Sequence, residues 1–221
     1  MKKIPTLFER VFDNHHKVGI NNKVHPGMEW VLGGEGTATE KIDGSCCAVI
    51  DGVFYKRYDA KRGKIPPANA IPCCDPDPIT GHWPHWIPVD ESDKSNIWFM
   101  EAYRNAGCPT EEGTYEAIGP HFRANPYGLE KDVIEKHGIR VLPDVPRDFE
   151  GIRDYLEQHN IEGIVFWKDG QPQCKIKRSD FGFPWGELQV PSAQSPDLKS
   201  GDFCVKGESP VQTRIIAACI G

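Results

Sequence analysis

The chain has 221 residues, with 26 Lys and Arg against 32 Asp and Glu and a formal net charge of −6. That length can bury a substantial core in one large domain, and the negative balance argues against a protein that coats nucleic acid non-specifically, because such binding rests on many phosphate contacts. No stretch approaches the roughly 20 consecutive apolar residues of a membrane span, and the start lacks the apolar run of a signal peptide, so a soluble cytoplasmic protein without a membrane partner is expected.

The opening, up to Gly36, shows no clean hydrophobic period. From Ser45 the pattern becomes β-like: Cys47 and Val49 lead to Asp51-Gly52, a dipeptide suited to a tight turn, and Val53-Phe54-Tyr55 follow. Residues 56–64 read KRYDAKRGK, five basic residues in nine. Residues 65–96 are rich in Pro, Asp and His and predict a long excursion without regular structure, of the kind that covers a site or is mobile. Within it Cys73, Cys74, His82 and His85 are residue types that bind zinc. Their spacing is not a standard one, and a plain loop whose Trp83 and Trp86 pack onto the body is the alternative. The eight cysteines show no C-x-x-C spacing, so reduced thiols are expected.

Strands are expected at residues 97–103 and 113–118, and a helix over 129–137 ending at Gly138. A second helix starts at Asp148, a suitable N-cap, with Phe149, Ile152 and Leu156 on one face. Residues 161–167, the turn Lys168-Asp169-Gly170 and residues 172–178 predict another hairpin. After Trp185 the chain is rich in Pro, Ser and Gly. The expected class is α+β, with antiparallel hairpins and two or three helices packed against them. One domain spans 1–221, with a motif-bearing core at about 36–185 and a short C-terminal extension at 186–221. No G-x-x-x-x-G-K-[ST] loop is present, so any nucleotide must be held by side chains.

Glu40-Lys41-Ile42-Asp43-Gly44 places a lysine beside a carboxylate and a glycine. A lysine amine has a reference pKa of about 10.4, and it becomes a nucleophile only where burial or nearby cations favour the neutral form. Further positive charge must therefore converge on Lys41. Lys175 and Lys177 supply it, since residues two apart on a strand face one side. Glu116, in Tyr115-Glu116-Ala117-Ile118-Gly119, and Glu162, in Ile161-Glu162-Gly163, are carboxylates close to glycines. Arg57 and Arg62 follow Lys41 by 16 and 21 residues.

The ordered set EKIDG, YEAIG, EGIV and KIK resembles motifs I, III, IV and V of the ATP-dependent ligase and capping-enzyme superfamily, and Arg57 or Arg62 falls where its motif Ia arginine lies. The longer strings EKIDGSCC, GPHFRANPYG, IEGIVFW and KIKRSDFGFPW resemble more narrowly the auto-AMPylating 5′-to-3′ RNA ligases of vertebrates and their microbial relatives. The similarity runs over about residues 39–185.

The resemblance implies a nucleotidyltransferase (adenylation) domain of antiparallel sheets flanked by helices. Lys41 would attack the α-phosphate of ATP to give lysyl-AMP, AMP would pass to an RNA 5′-phosphate, and a 3′-hydroxyl would displace it, in repair of RNA. It assigns Lys175 and Lys177 to the α-phosphate, where their charge would also lower the pKa of Lys41. Glu162 would hold a divalent cation, Mg²⁺ or alternatively Mn²⁺. Glu116 would hold the ribose hydroxyls or share the metal, Arg57 or Arg62 the ribose or the RNA 5′-phosphate, and Glu40 the adenine amino group. Each has a structural competitor: Glu116 and Glu162 as salt-bridged strand carboxylates, and Lys175 and Lys177 as strand lysines that discourage edge pairing. Phe166, Trp167, Phe181, Phe183 and Trp185 read as core and lid packing against base stacking.

The gap from Glu116 to Glu162 is 46 residues, shorter than in many members of that superfamily, and no motif IIIa aromatic is placed, so the adenine-stacking residue is unassigned. After Lys177 only 44 residues remain (221 − 177), too few for an OB-fold, which favours a minimal RNA ligase. The competing functions are a capping guanylyltransferase, a DNA ligase, and a non-catalytic sensor of nucleotide or RNA.

Overall fold

A computed structural model describes residues 3–14, 16–61, 63–78 and 80–186. The C-terminal extension past Gly186 lies outside the described residues, as does Arg62. In chain order the elements are β1 (Phe8–Asp13), β2 (His16–Val24), α1 (Glu29–Leu32), β3 (Thr37–Glu40), β4 (Ser45–Ile50), β5 (Val53–Ala60), β6 (Ile71–Pro72), β7 (Trp83–Pro88), α2 (Ile97–Asn105), β8 (Gly113–Ile118), β9 (Val133–Lys136), α3 (Phe149–Gln158), β10 (Gly163–Lys168) and β11 (Gln171–Lys177). The class is α+β, as expected, with antiparallel sheets. A three-stranded sheet has the order β11-β10-β3, and a six-stranded sheet the order β6-β7-β5-β4-β8-β9.

Period-2 alternation builds the smaller sheet. Ile164 and Phe166 on β10, with Cys174 and Ile176 on β11, turn to one face and are fully buried against Ile152 and Leu156 of α3 and Leu7 and Phe8 of the N-terminal segment. Val165, Lys175 and Lys177 are thereby committed to the opposite face. The expected N-cap holds: the Asp148 side chain accepts a hydrogen bond from the Gly151 N–H at 2.9 Å. Both expected hairpins also form. Their turn residues, Asp51 and Gly52 at φ 50° and 72° and Asp169 and Gly170 at 53° and 71°, lie in the left-handed region that matches strand twist.

Three expectations need correction. Residues 97–103 are helical, within α2, because Phe99, Ala102, Tyr103 and Ala106 recur at spacings of three and four and pack on the core of the larger sheet. The segment 129–137 contains strand β9 rather than a helix; Val133 to Lys136 pair in register with β8, and Ile134 is buried beneath them. The excursion at 65–96 contributes β6 and β7, and β7 pairs with β5, placing Trp86 in a small core with Ala48 and Tyr55. The N-terminal segment forms the β1–β2 hairpin, whose register shifts between Phe8 and Arg10 and between Val11 and Phe12. Such bulges break the alternation that marks a strand in sequence. Among the described residues no helix is long and apolar enough to cross a membrane.

Asp148→Ala removes the side-chain acceptor at the start of α3 and should lower unfolding free energy by about 1 kcal/mol. Urea denaturation of the two proteins measures the difference.

Candidate active site

Glu40 is the last residue of a strand in the smaller sheet and Ser45 the first of a strand in the larger one, so Lys41–Gly44 is the link between them. Its backbone is tied on both sides. Lys41 N–H donates to Gly163 O at 2.8 Å and Glu40 N–H to Arg140 O at 2.8 Å. Gly44 N–H donates to Glu116 Oε1 at 3.1 Å, and Asp43 N–H to the Tyr127 hydroxyl at 2.8 Å. Trp185 Nε1–H donates to Asp43 Oδ2 at 2.9 Å, and Arg123 Nε–H to Gly44 O at 3.1 Å. The motif glycine follows from close approach: a Cβ on Gly44 would lie 2.2 Å from Ala117 O. Gly163 is equally constrained, since a Cβ there would lie 2.2 Å from Ile176 O.

Charge converges where the link leaves the smaller sheet. Glu162 places Oε2 at 2.5 Å from Lys41 Nζ and Oε1 at 2.6 Å from Lys177 Nζ, so one largely buried carboxylate joins two lysines 136 residues apart in sequence. Lys175 stands opposite Val165 on β10. Its backbone is fixed from the other side by residues 5–7, with Leu7 N–H donating to Lys175 O at 2.8 Å and Lys175 N–H to Pro5 O at 3.0 Å. Burial, followed by repulsion from Lys41 and Lys177, pulls the Lys175 ammonium down to about 8, with Glu162 opposing in part.

Glu40, Lys41, Arg57, Glu116 and Lys175 line one cleft of about 590 Å³, which also exposes Cys46, Arg123, His137 and Trp167. Glu162 joins it through its ion pair to Lys41, and Lys177 through its ion pair to Glu162. Arg57 is held at 2.8 Å by Asp59, whereas the position of Arg62 falls outside the described residues. Glu116 bonds His137 Nε2 at 2.9 Å, and His137 Nδ1 meets Thr114 Oγ1 at 2.9 Å. Burial, then the charge of Glu116, pushes the Cys46 thiol up to about 12.

The residues that the sequence did not reveal lie mainly after β8 and β9. Arg140 pairs with Glu40 at 2.9 Å, forks onto Glu135 with two contacts at 2.7 Å, and stands 5.0 Å over the Tyr127 ring. Burial raises the Glu40 carboxyl above its ordinary value, and Arg140 offsets part of that rise. Reading residues 129–137 as helix hid these contacts, although GPHFRANPYG, which carries Arg123 and Tyr127, did stand out. Of the aromatics, Phe166 is core, whereas Trp167 faces the other way and bonds Thr39 Oγ1 at 2.8 Å. Cys73, Cys74, His82 and His85 do not form a metal-type group. Among the described residues, Cys46, Glu116 and His137 do, with ligand atoms within 4.8 Å of one another.

Fold and site define an antiparallel α+β domain with a lysine and carboxylate cluster in a cleft between two sheets. Among curated proteins, the chain is 26% identical to RNA ligase 1 of Danio rerio over 67% of this chain and 68% of that protein. It is 25% identical to RNA ligase 1 of Rattus norvegicus and 24% identical to that of Pongo abelii, again over about two thirds of each. No family model matches the chain. The chain is a distant relative of these vertebrate RNA ligases.

Two outcomes test the electrostatics. Arg140→Ala leaves Glu40 and Glu135 without their partner and should destabilise the fold by about 1–3 kcal/mol at pH 7. Because the folded-state carboxyl of Glu40 is already raised, the penalty applies above its ordinary value of 4.5 and should shrink as denaturation is measured toward pH 4. Lys175 has a folded value lowered from 10.5 to about 8, so folding releases a proton between these values. Its burial destabilises fully below pH 8 and is relieved as the pH climbs to 10.5. Lys175→Met should therefore raise Tm at pH 7, with the gain vanishing above pH 10.5.

Proposed function

We propose that the chain is an ATP-dependent RNA ligase built on a nucleotidyltransferase domain, acting in the cytoplasm on RNA 5′-phosphate and 3′-hydroxyl ends in RNA repair. The observation that carries this reading is Glu162 bridging Lys41 and Lys177, with Lys175 on the same strand face and the cleft in front of them. Distant kinship to proteins named RNA ligase 1 supports RNA as the substrate class.

In the proposed reaction, Lys41 Nζ forms a bond to the α-phosphorus of ATP while the bond to pyrophosphate breaks. The ammonium must first lose a proton, and Glu162, 2.5 Å away, is placed to take it. Lys175 and Lys177 face the charge that develops on the α-phosphate oxygens, an interaction strengthened by the partly dry wall on which Lys175 sits. In-line displacement at phosphorus asks mainly for positioning and charge neutralisation, which a link hydrogen-bonded to two sheets supplies. Arg57 and Arg123 at the cleft wall are suited to the 5′-phosphate of the strand to be sealed. Glu40, steadied by Arg140, is the acceptor for the adenine amino group, and Trp167 and His137 are the rings available to the base.

The donor set fits a divalent cation: Glu162 offers a carboxylate beside Lys41, and Glu116 offers a second on the cleft wall. When bound, Mg²⁺ or Mn²⁺ would neutralise phosphate charge with few protein ligands and several waters.

Incubation with α-labelled ATP should place one AMP on the chain, and Lys41→Ala should abolish the label while leaving the circular dichroism spectrum unchanged. Labelling by GTP in preference to ATP would indicate a guanylyltransferase, sealing of nicked DNA over nicked RNA a DNA ligase, and no Lys41-dependent label a binding domain without chemistry.

A further inference from the structure

Cys46, Glu116 and His137 have no metal role together in the reaction above, yet strand register brings them to one point. Cys46 and Glu116 are direct cross-strand partners on β4 and β8. His137 directly follows β9, and its N–H donates to Thr114 O at 3.0 Å, which fixes the ring beside the same part of β8. The thiol sulphur, a carboxylate oxygen and an imidazole nitrogen lie within 4.8 Å of one another, and all three residues line the cleft.

We propose that these side chains form a site for a borderline divalent cation of the zinc class, different in donor chemistry from the oxygen-only Mg²⁺ site at Glu162, with which it would share Glu116. The ligand set decides the metal: thiolate and imidazole select zinc-like ions, whereas Mg²⁺ takes oxygen donors in octahedral geometry. The surrounding hydrogen bonds already orient two of the three ligands. His137 Nδ1 is engaged by Thr114 Oγ1, leaving Nε2 to bind, and Glu116 Oε1 is engaged by the Gly44 N–H, leaving Oε2. Without an ion, Nε2 and Oε2 face each other at 2.9 Å.

Binding replaces that contact with two metal bonds and adds a third to Cys46 Sγ, whose proton leaves to solvent. The thiolate and the carboxylate then balance the two positive charges. Bonds of about 2.0–2.3 Å require the three side chains to close by rotamer adjustment, since Cys46 and Glu116 are paired in one sheet and the His137 backbone is bonded to Thr114 O. Three protein ligands leave a fourth position facing the cleft, the arrangement of an exchangeable rather than a closed structural zinc site. An ion there occupies Glu116 and part of the cleft, so it competes with nucleotide; this consequence alone rests on the function proposed above.

Cobalt(II) is the direct probe, because a thiolate ligand gives it a charge-transfer band in the near ultraviolet. Titration of the full chain should produce one equivalent of that band, removed by Zn²⁺ and absent in both Cys46→Ser and His137→Ala, while Cys73→Ser and Cys74→Ser retain it. Circular dichroism verifies that each variant is folded, and either of the two ligand variants suffices if the other is not. A wild-type protein without the band, or a band that survives in a folded ligand variant, overturns the site. In the labelling assay, half-inhibition by Zn²⁺ should move at least about tenfold higher in Cys46→Ser, each protein being compared with its own zinc-free rate. Cobalt binding without any labelling overturns the ligase reading and leaves the metal site standing; labelling without the cobalt band does the reverse.

Discussion

A four-residue link bonded to two sheets at once is the constraint on which the site depends. Lys41 N–H is held by Gly163 O in the smaller sheet and Gly44 N–H by Glu116 in the larger, at 2.8 and 3.1 Å. Between these anchors the Lys41 side chain is paired with Glu162. The glycines at 44 and 163 are what permit the approach, since a methyl group at either would overlap a carbonyl oxygen. Backbone packing thus fixes the K-x-D-G spacing before any chemistry is considered. The carboxylates then serve twice, holding the link in place and facing the cleft.

The smaller sheet was the more legible half. In β10 and β11 buried and half-buried residues alternate, so the hairpin at 163–177 and the common face of Lys175 and Lys177 follow from side-chain period, whereas β3, with Ala38 and Thr39 both buried, has no such period. The α3 cap and the hairpin around Asp51-Gly52 were equally readable, because each has a local signal. What sequence could not reveal depended on tertiary partners. β9 is a short edge element whose identity comes from pairing with β8, and Ile97-Trp98-Phe99 carries strand-like residues on a helix that buries Ala102 and half-buries Phe99. The bulged N-terminal hairpin has no period to find. For the site, charged motif residues stood out, whereas Arg140 acts through a contact across sheets and His137 through neighbours on β8 that no spacing encodes.

The cleft is an arrangement of unequal charge. Lys41 and Lys177 share one carboxylate, and Lys175 sits close to both with its ammonium disfavoured by burial and like charge. Such a cluster is unfavourable in the isolated protein and becomes favourable when an anion enters. Glu40 shows the complementary situation, a carboxyl disfavoured by burial and steadied by Arg140. The chain is net negative, yet Lys41, Arg57, Arg123 and Lys175 reach the cleft from different parts of the fold and face Glu40 and Glu116 there.

The backbone contacts of residues 5–7 with β11 have a further consequence for self-association. A three-stranded sheet has two open edges, and an open edge is a template for another chain. Here Thr6 bridges Lys175 on one side and Val141 bridges Thr39 on the other, with Leu142 N–H donating to Ala38 O at 2.9 Å. Short irregular segments therefore cover both borders beside the lysines. The sheet that carries the lysine face is protected from strand addition without needing charged guards on its rim, so its lysines can face the cleft side instead.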